Sequence, residues 1–325
     1  MVRWQTCLVL RCCVAWTPAQ TARRCAARID NIASPPGPWQ SRIGAAQIDD
    51  DAYPPAPWSF SNARVLYQPT FVRTSAARAV TPRDGLLLCF FGWTLGGIFV
   101  VDWTESPVGP YREVAVLSGL VARGFSIGAW ASHIVVTTPA SVGGGRAVFG
   151  LPTVLGSVDF KAADESDSDA WRREAGDALT WTRELLEDIA VAFKVGIGAA
   201  QPGIAEPAER LRRCIERVRT KRGFDFESDA AVKITGWDGW SESTPEEGPS
   251  LSLPSFSGRV PEYPELLRYP LTLGPASRIS LRPAMPTRVG VVSDNLAAVL
   301  DGACACPCIQ VDGVTVVAGR PEAVG

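Results

Sequence analysis

The chain has 325 residues, 46% of them hydrophobic, enough apolar material for one large core, which excludes disorder throughout. Lys and Arg total 32 against 34 Asp and Glu, a balance that gives no general electrostatic reason to bind nucleic acid, and none is expected as a partner. Only four of the basic residues are lysines, Lys161, Lys194, Lys221 and Lys233, so any mechanism that needs an amine has few candidates.

Residues 1–33 read as a targeting leader. Met1 to Ile29 holds no acidic residue and five arginines, Arg3, Arg11, Arg23, Arg24 and Arg28, with an apolar patch from Cys7 to Trp16. Acid-poor, arginine-rich composition fits a transit peptide, whereas Arg11 interrupts a secretory apolar core. Residues 34–54 form a proline-rich linker, since Ser34-Pro35-Pro36-Gly37-Pro38 and the run at Pro54-Pro55 deny it regular helix or central strand.

A main domain is expected over 55–320. Arg64 to Val72, Gly85 to Trp103, Glu113 to Leu120 and Ser126 to Thr138 are rich in β-branched and aromatic residues and broken by Pro and Gly, which predicts strands. Gly85 to Val101 is an uncharged run of 17 residues, but Gly92, Gly96 and Gly97 argue against a membrane helix and for a strand kinked by glycine. The Gly143-Gly144-Gly145 run reads as a turn near a barrel mouth. A charged helical insertion is expected at about 161–230: apolar residues recur at helical intervals between Asp164 and Phe193, and Glu206 to Arg222 sets Leu211, Ile215 and Val218 against an arginine-rich remainder. From Leu251 the chain returns to short strands, closing with Cys308 to Val317.

Nine cysteines without paired spacings argue for reduced thiols. Cys304, Cys306 and Cys308 lack the spacers and the distant second ligand pair of a zinc site, so no metal is expected, and no cofactor motif is present. His133 is the only histidine, and its odd spacing from Trp130 predicts that one of the two lines the interior.

The densest constellation is Gly109-Pro110-Tyr111-Arg112-Glu113, a strand, then Gly145-Arg146 followed by Pro152. In this order and separation it resembles the acetoacetate decarboxylase superfamily. Pro57-Trp58-Ser59-Phe60, Gly92 to Gly97, Ser106-Pro107-Val108-Gly109, Ala129-Trp130-Ala131 and Leu253 to Gly258 more closely resemble the plant neoxanthin-deficient family. The resemblance implies a mostly β (α+β) fold, an acetoacetate decarboxylase-like antiparallel β-barrel with a few peripheral helices.

In acetoacetate decarboxylases a lysine after the proline forms a Schiff base with a keto acid. Thr153 and Val154 stand at those positions here, which implies that Schiff-base decarboxylation is absent. Glu113 matches a family carboxylate and is the candidate acid or base, with pairing to Arg146 as the structural alternative. Arg146, His133, Trp130, Phe91, Trp93 and Tyr111 are the candidate ligand-binding residues, and Phe99 and Trp103 also suit a polyene. What the resemblance implies is a plastid (chloroplast) protein of xanthophyll metabolism, serving the conversion of violaxanthin to neoxanthin or related allenic carotenoids. It leaves open an enzyme, a binding protein that assists a separate carotenoid-pathway protein or works at a membrane surface, and a lyase acting on another small acid.

Overall fold

In this computed structural model the described residues are 53–83, 85–89, 92–161, 223–236, 251–276, 278–282, 284–301, 304–305 and 307–324. The leader, nearly all of the linker, both expected insertion helices and Phe91 lie outside them.

The longest strand, β1 (Trp58–Arg73), seeds the sheet. Its Trp58, Phe60, Ala63 and Val65 turn to one side and Leu66 and Val72 to the other, so it builds two cores at once. The switch of parity falls at Asn62, whose φ of 52° accompanies a shift of pairing with β15 (Cys308–Ala318) between Phe60 and Ala63. On its other edge β1 pairs with β3 (Trp93–Trp103), and β3 pairs in turn with β4 (Tyr111–Arg123) and β4 with β5 (Ser126–Val136). The Gly85 to Trp103 run is thus interrupted: it yields the short β2 (Leu86–Leu87), a break, and β3.

Beyond β5 the sheet continues through β10 (Leu251–Val260) and β11 (Tyr263–Leu273), and β11 returns to β15. That last pairing closes a barrel. The expected mostly β barrel is present, with one departure from purely antiparallel order: β5 and β10 run parallel, as does the short β6 (Thr153–Leu155) on β5. Further short strands, β12 (Arg278–Arg282), β14 (Cys304–Ala305) and β16 (Glu322–Ala323), extend the same sheet.

A separate sheet of four strands, in the order β13 (Thr287–Val291), β8 (Gly223–Ser228), β9 (Ala231–Thr235) and β7 (Ser157–Lys161), lies on the outer wall. Gly223–Ser228 therefore departs from the expected helical insertion, because Phe224 and Phe226 alternate into the outer core and dictate a strand. Two short helices pack on that core, α1 (Thr74–Val80) through Ala77 and α3 (Asp294–Asp301) through Leu296, Val299 and Leu300. The third, α2 (Pro139–Phe149), comes between them in the chain and packs at one end of the barrel.

The glycine run expected as a turn is inside α2. Thr138 accepts a hydrogen bond from the Ser141 N–H, Pro139 opens the first turn, and Gly150 ends it at a φ of 59°. The glycines serve contact: a Cβ at Gly143 would lie 1.9 Å from the Tyr53 hydroxyl, at Gly144 2.5 Å from the Trp58 ring, and at Gly145 2.8 Å from Thr153. Tertiary packing thereby outweighs the roughly 1 kcal/mol per glycine by which helix propensity opposes this segment.

Candidate functional site inside the barrel

The inner wall is aromatic at the end that α2 covers. Trp58 meets Phe149 edge-on at 5.1 Å, Phe60 lies 4.3 Å from Trp103, and Phe149 lies 5.5 Å from Tyr269, all measured between ring centres. Trp58, Phe60 and Trp103 are at most 5% exposed. Toward the other end the inward residues become progressively accessible: Phe99, Leu117 and Ala131 are half-buried, and Leu95 and Ile127 are 37% and 48% exposed.

Glu113 stands in this wall. Alternation along β4 turns Tyr111, Glu113, Ala115 and Leu117 inward. The Trp103 indole N–H donates to Glu113 Oε2 at 3.0 Å, the Tyr111 hydroxyl also hydrogen-bonds the carboxyl, and Tyr269, bonded to Ser255, adds a second phenol within electrostatic reach. Burial raises the Glu113 pKa, and the two hydrogen bonds offset it only in part. The same burial, reinforced by the carboxylate, pushes Tyr111 well above its usual value and raises Tyr269 too. Glu113 is half-buried as a residue, and its carboxyl is enclosed by neighbours. The arrangement favours the neutral form of the carboxyl more than water does, which suits a group that offers a proton or a hydrogen bond to an oxygen in apolar surroundings.

Arg146 does not pair with Glu113. Its Nε and Nη2 both donate to the Thr153 carbonyl, at 3.1 and 2.8 Å, and its Nη1 lies 4.0 Å from Glu262. Thr153, one of the two positions at which the resemblance would lead one to expect a lysine, donates its hydroxyl to the Val142 carbonyl at 2.9 Å and packs on Gly145, while Val154 packs against the outer core. Arg146 therefore holds the start of β6 under α2. Lys161 and Lys233 belong to β7 and β9 of the outer sheet, so among the described residues no lysine projects into the barrel.

Trp130 and His133 both face outward, contrary to the odd-spacing argument. The register of β4 against β5 shifts twice: Val116 opposes His133 and Leu117 opposes Ala131, so Ser132 is an extra residue that resets the alternation. The Trp130 indole donates to the Val80 carbonyl at 2.8 Å and packs with Val121, Phe256 and Leu266. His133 lies 4.0 Å from Asp229, and burial lowers its pKa to about 4 against the opposing pull of that carboxylate. Trp93 lies near the exposed end of the barrel, stacked under the Arg73 guanidinium at 4.8 Å. Of the sequence candidates, then, the barrel brings together Tyr111 and Glu113, with Trp103 as their partner. Tyr269, Phe60 and Phe149 were missed; each occupies an alternating position in strand or helix, a signal of burial that does not distinguish a site from a core. A cleft of about 460 Å³ is lined by Asp102, Arg112, Thr137, Ser157 and Asp159 together with Trp103 and Tyr111, the two hydrogen-bond partners of Glu113, which is not itself in the lining.

No protein-family model matches the chain. Among solved structures, acetoacetate decarboxylase from Legionella pneumophila aligns over 92% of this chain and 98% of its own, at 11% identity and a TM-score of 0.45. An enduracididine biosynthesis enzyme complexed with pyruvate aligns over 84% and 92%, at 14% identity and a TM-score of 0.43. Among sequences, Protein NEOXANTHIN-DEFICIENT 1 of Oryza sativa is 28% identical over 228 residues, 70% of this chain and 67% of the relative. The protein of the same name from Arabidopsis thaliana is 36% identical over 238 residues, 71% of this chain and 73% of the relative. Identity at that level across most of both chains places this protein in the NEOXANTHIN-DEFICIENT 1 family.

Proposed function

We propose that this is a plastid protein of xanthophyll metabolism that binds a carotenoid in its barrel and assists the conversion of violaxanthin to neoxanthin or a related allenic carotenoid. The observation that carries the reading is the apolar and aromatic lining of the barrel, in which Glu113, its pKa raised by burial, stands beside the phenols of Tyr111 and Tyr269. A polyene gains from burial along such a wall. At its oxygenated end ring, Glu113 donates a hydrogen bond to a hydroxyl or epoxide oxygen, and Tyr111 and Trp103 hold the carboxyl in place. The acid-poor, arginine-rich leader and the family name support the plastid and pathway assignments.

Opening the epoxide and leaving an allene requires an acid at oxygen, a base at a carbon-bound hydrogen and exclusion of water. One buried carboxyl supplies the first of these and the closed end of the barrel the third. The reading therefore favours binding and assistance over unaided catalysis. Purified protein titrated with violaxanthin decides it: quenching of the interior tryptophans with no new pigment is the expected result. Allenic product formed without other proteins would make it the enzyme, and failure to bind either violaxanthin or neoxanthin would overturn the reading.

A further inference from the structure

The hairpin between β4 and β5 ends in a two-residue turn, Gly124-Phe125, in which Gly124 takes a φ of 57° and the Phe125 ring is wholly exposed, at 110% of its reference area. A phenylalanine held out by backbone geometry with nothing beneath it is costly in water. It is not isolated. Leu86 pairs with Ala122 and Ala122 with Ile127, so Leu86, at 60% exposure, and Ile127, at 48%, flank the base of the same tip. Leu95, at 37%, and Trp93 lie near the same end of the barrel, the end opposite α2.

The charge around this apolar tip has one dominant sign. The chain from Arg73 to Leu86 carries Arg73, Arg78 and Arg83 against Asp84, and the turn itself is preceded by Arg123. Arg73, Arg78 and Arg83 are exposed. Arg268 ties Ser126 of the turn to Glu322, which braces the hairpin from below. A protruding aromatic with aliphatic shoulders, next to a segment that carries three exposed arginines, has the chemistry of an interfacial anchor, in which the ring enters the acyl boundary and the guanidinium groups meet anionic headgroups.

We infer that the Phe125 hairpin tip docks the accessible end of the barrel onto an anionic lipid bilayer. The occupant is a fluid surface, since a ring projecting from a braced turn above two aliphatic shoulders presents no concave or flat face to match a protein partner. The inference goes beyond the proposed function and does not rest on which ligand the barrel takes. Docked in this way, the more accessible end of the barrel faces the phase in which a lipophilic molecule is dissolved.

The test uses the full chain with vesicles of phosphatidylcholine, alone or containing phosphatidylglycerol, followed by sedimentation and by hydrogen exchange of the backbone from Arg123 to Ile127. Binding that needs the anionic lipid, weakens with salt and protects the tip from exchange is expected, with a loss of roughly tenfold in partitioning for Phe125→Ser. Phe125 makes no supporting contact in the fold, and an unchanged thermal midpoint in the variant verifies that it folds. Absence of vesicle binding would overturn the inference. So would binding that leaves the exchange of the tip unchanged, which would place the contact elsewhere in the chain. Self-association of the wild type, abolished by Phe125→Ser, would make the tip an interface between copies and would overturn it as well.

Discussion

His133 tests the outward placement that the Ser132 bulge imposes. The imidazole is 3% exposed, and its pKa falls from 6.5 in the unfolded chain to about 4 in the native one. A depressed folded pKa contributes stability that is fully present above pH 6.5 and is lost as pH falls through about 4, because the folded state resists the proton that the unfolded chain accepts. At 1.36 kcal/mol per pKa unit, the shift is worth roughly 3 kcal/mol over that window. The perturbation is His133→Gln, which keeps a polar side chain and removes the titration. Urea unfolding of both proteins at half-unit steps from pH 7.5 to 3.5 isolates this one group, since all others cancel in the difference. The wild-type advantage is expected to shrink by roughly 3 kcal/mol on acidification, and the single imidazole resonance of the native protein is expected to titrate near pH 4. A flat difference, or a resonance titrating above 6.5, would mean that Asp229 and not burial governs the ring, and the reasoning would fail.

Glu113→Gln keeps an acceptor for the Trp103 indole and removes a carboxyl whose folded pKa is raised. Such a group contributes stability below its unfolded pKa that is lost as pH rises through the folded value, so the variant is expected to melt no lower than wild type at pH 8 while losing affinity for an oxygenated carotenoid; a lower melting point at pH 8 would contradict the raised pKa. Asp312→Ala removes a buried carboxylate 3.5 Å from Arg64 and hydrogen-bonded at 2.9 Å by Gln310, and is expected to cost about 3–5 kcal/mol in chemical denaturation, against less than 1 kcal/mol if that cluster is wetted. Gly144→Ala drives a methyl to 2.5 Å from Trp58 and is expected to destabilise by about 1–3 kcal/mol with a change in tryptophan emission, which a neutral substitution would rule out.

The long strands were legible because their alternation is repeated over ten residues or more: Trp58 to Arg73 and Tyr111 to Arg123 each carry two apolar faces. The motif singled out Glu113 as a candidate, and its burial, which raises its pKa, follows from the inward parity it shares with Tyr111 and Ala115. What sequence did not yield depends on events outside the local window. The glycine run became helix because Tyr53, Trp58 and Thr153 approach too closely for any side chain. The faces of Trp130 and His133 turned on one extra residue, Ser132, which no periodicity announces. The partner of Arg146 proved to be a carbonyl seven residues away and a glutamate in the β10–β11 turn, both polar groups that proximity in the fold selects. The outer sheet escaped because its strands, of five or six residues each, include two parallel pairings that local turn signals cannot encode.

The parallel seam between β5 and β10 also governs how this protein is made. Hairpins join β3, β4 and β5 almost as they leave the ribosome, but their greasy concave side has no lid until the stretch from Leu251 onward has been translated, and β15 comes later still. Until then the nascent barrel is an unfinished trough with an apolar side uncovered. A cell that makes this protein must therefore shepherd it, and its yield in a foreign host should respond to added chaperones more strongly than its final stability would suggest.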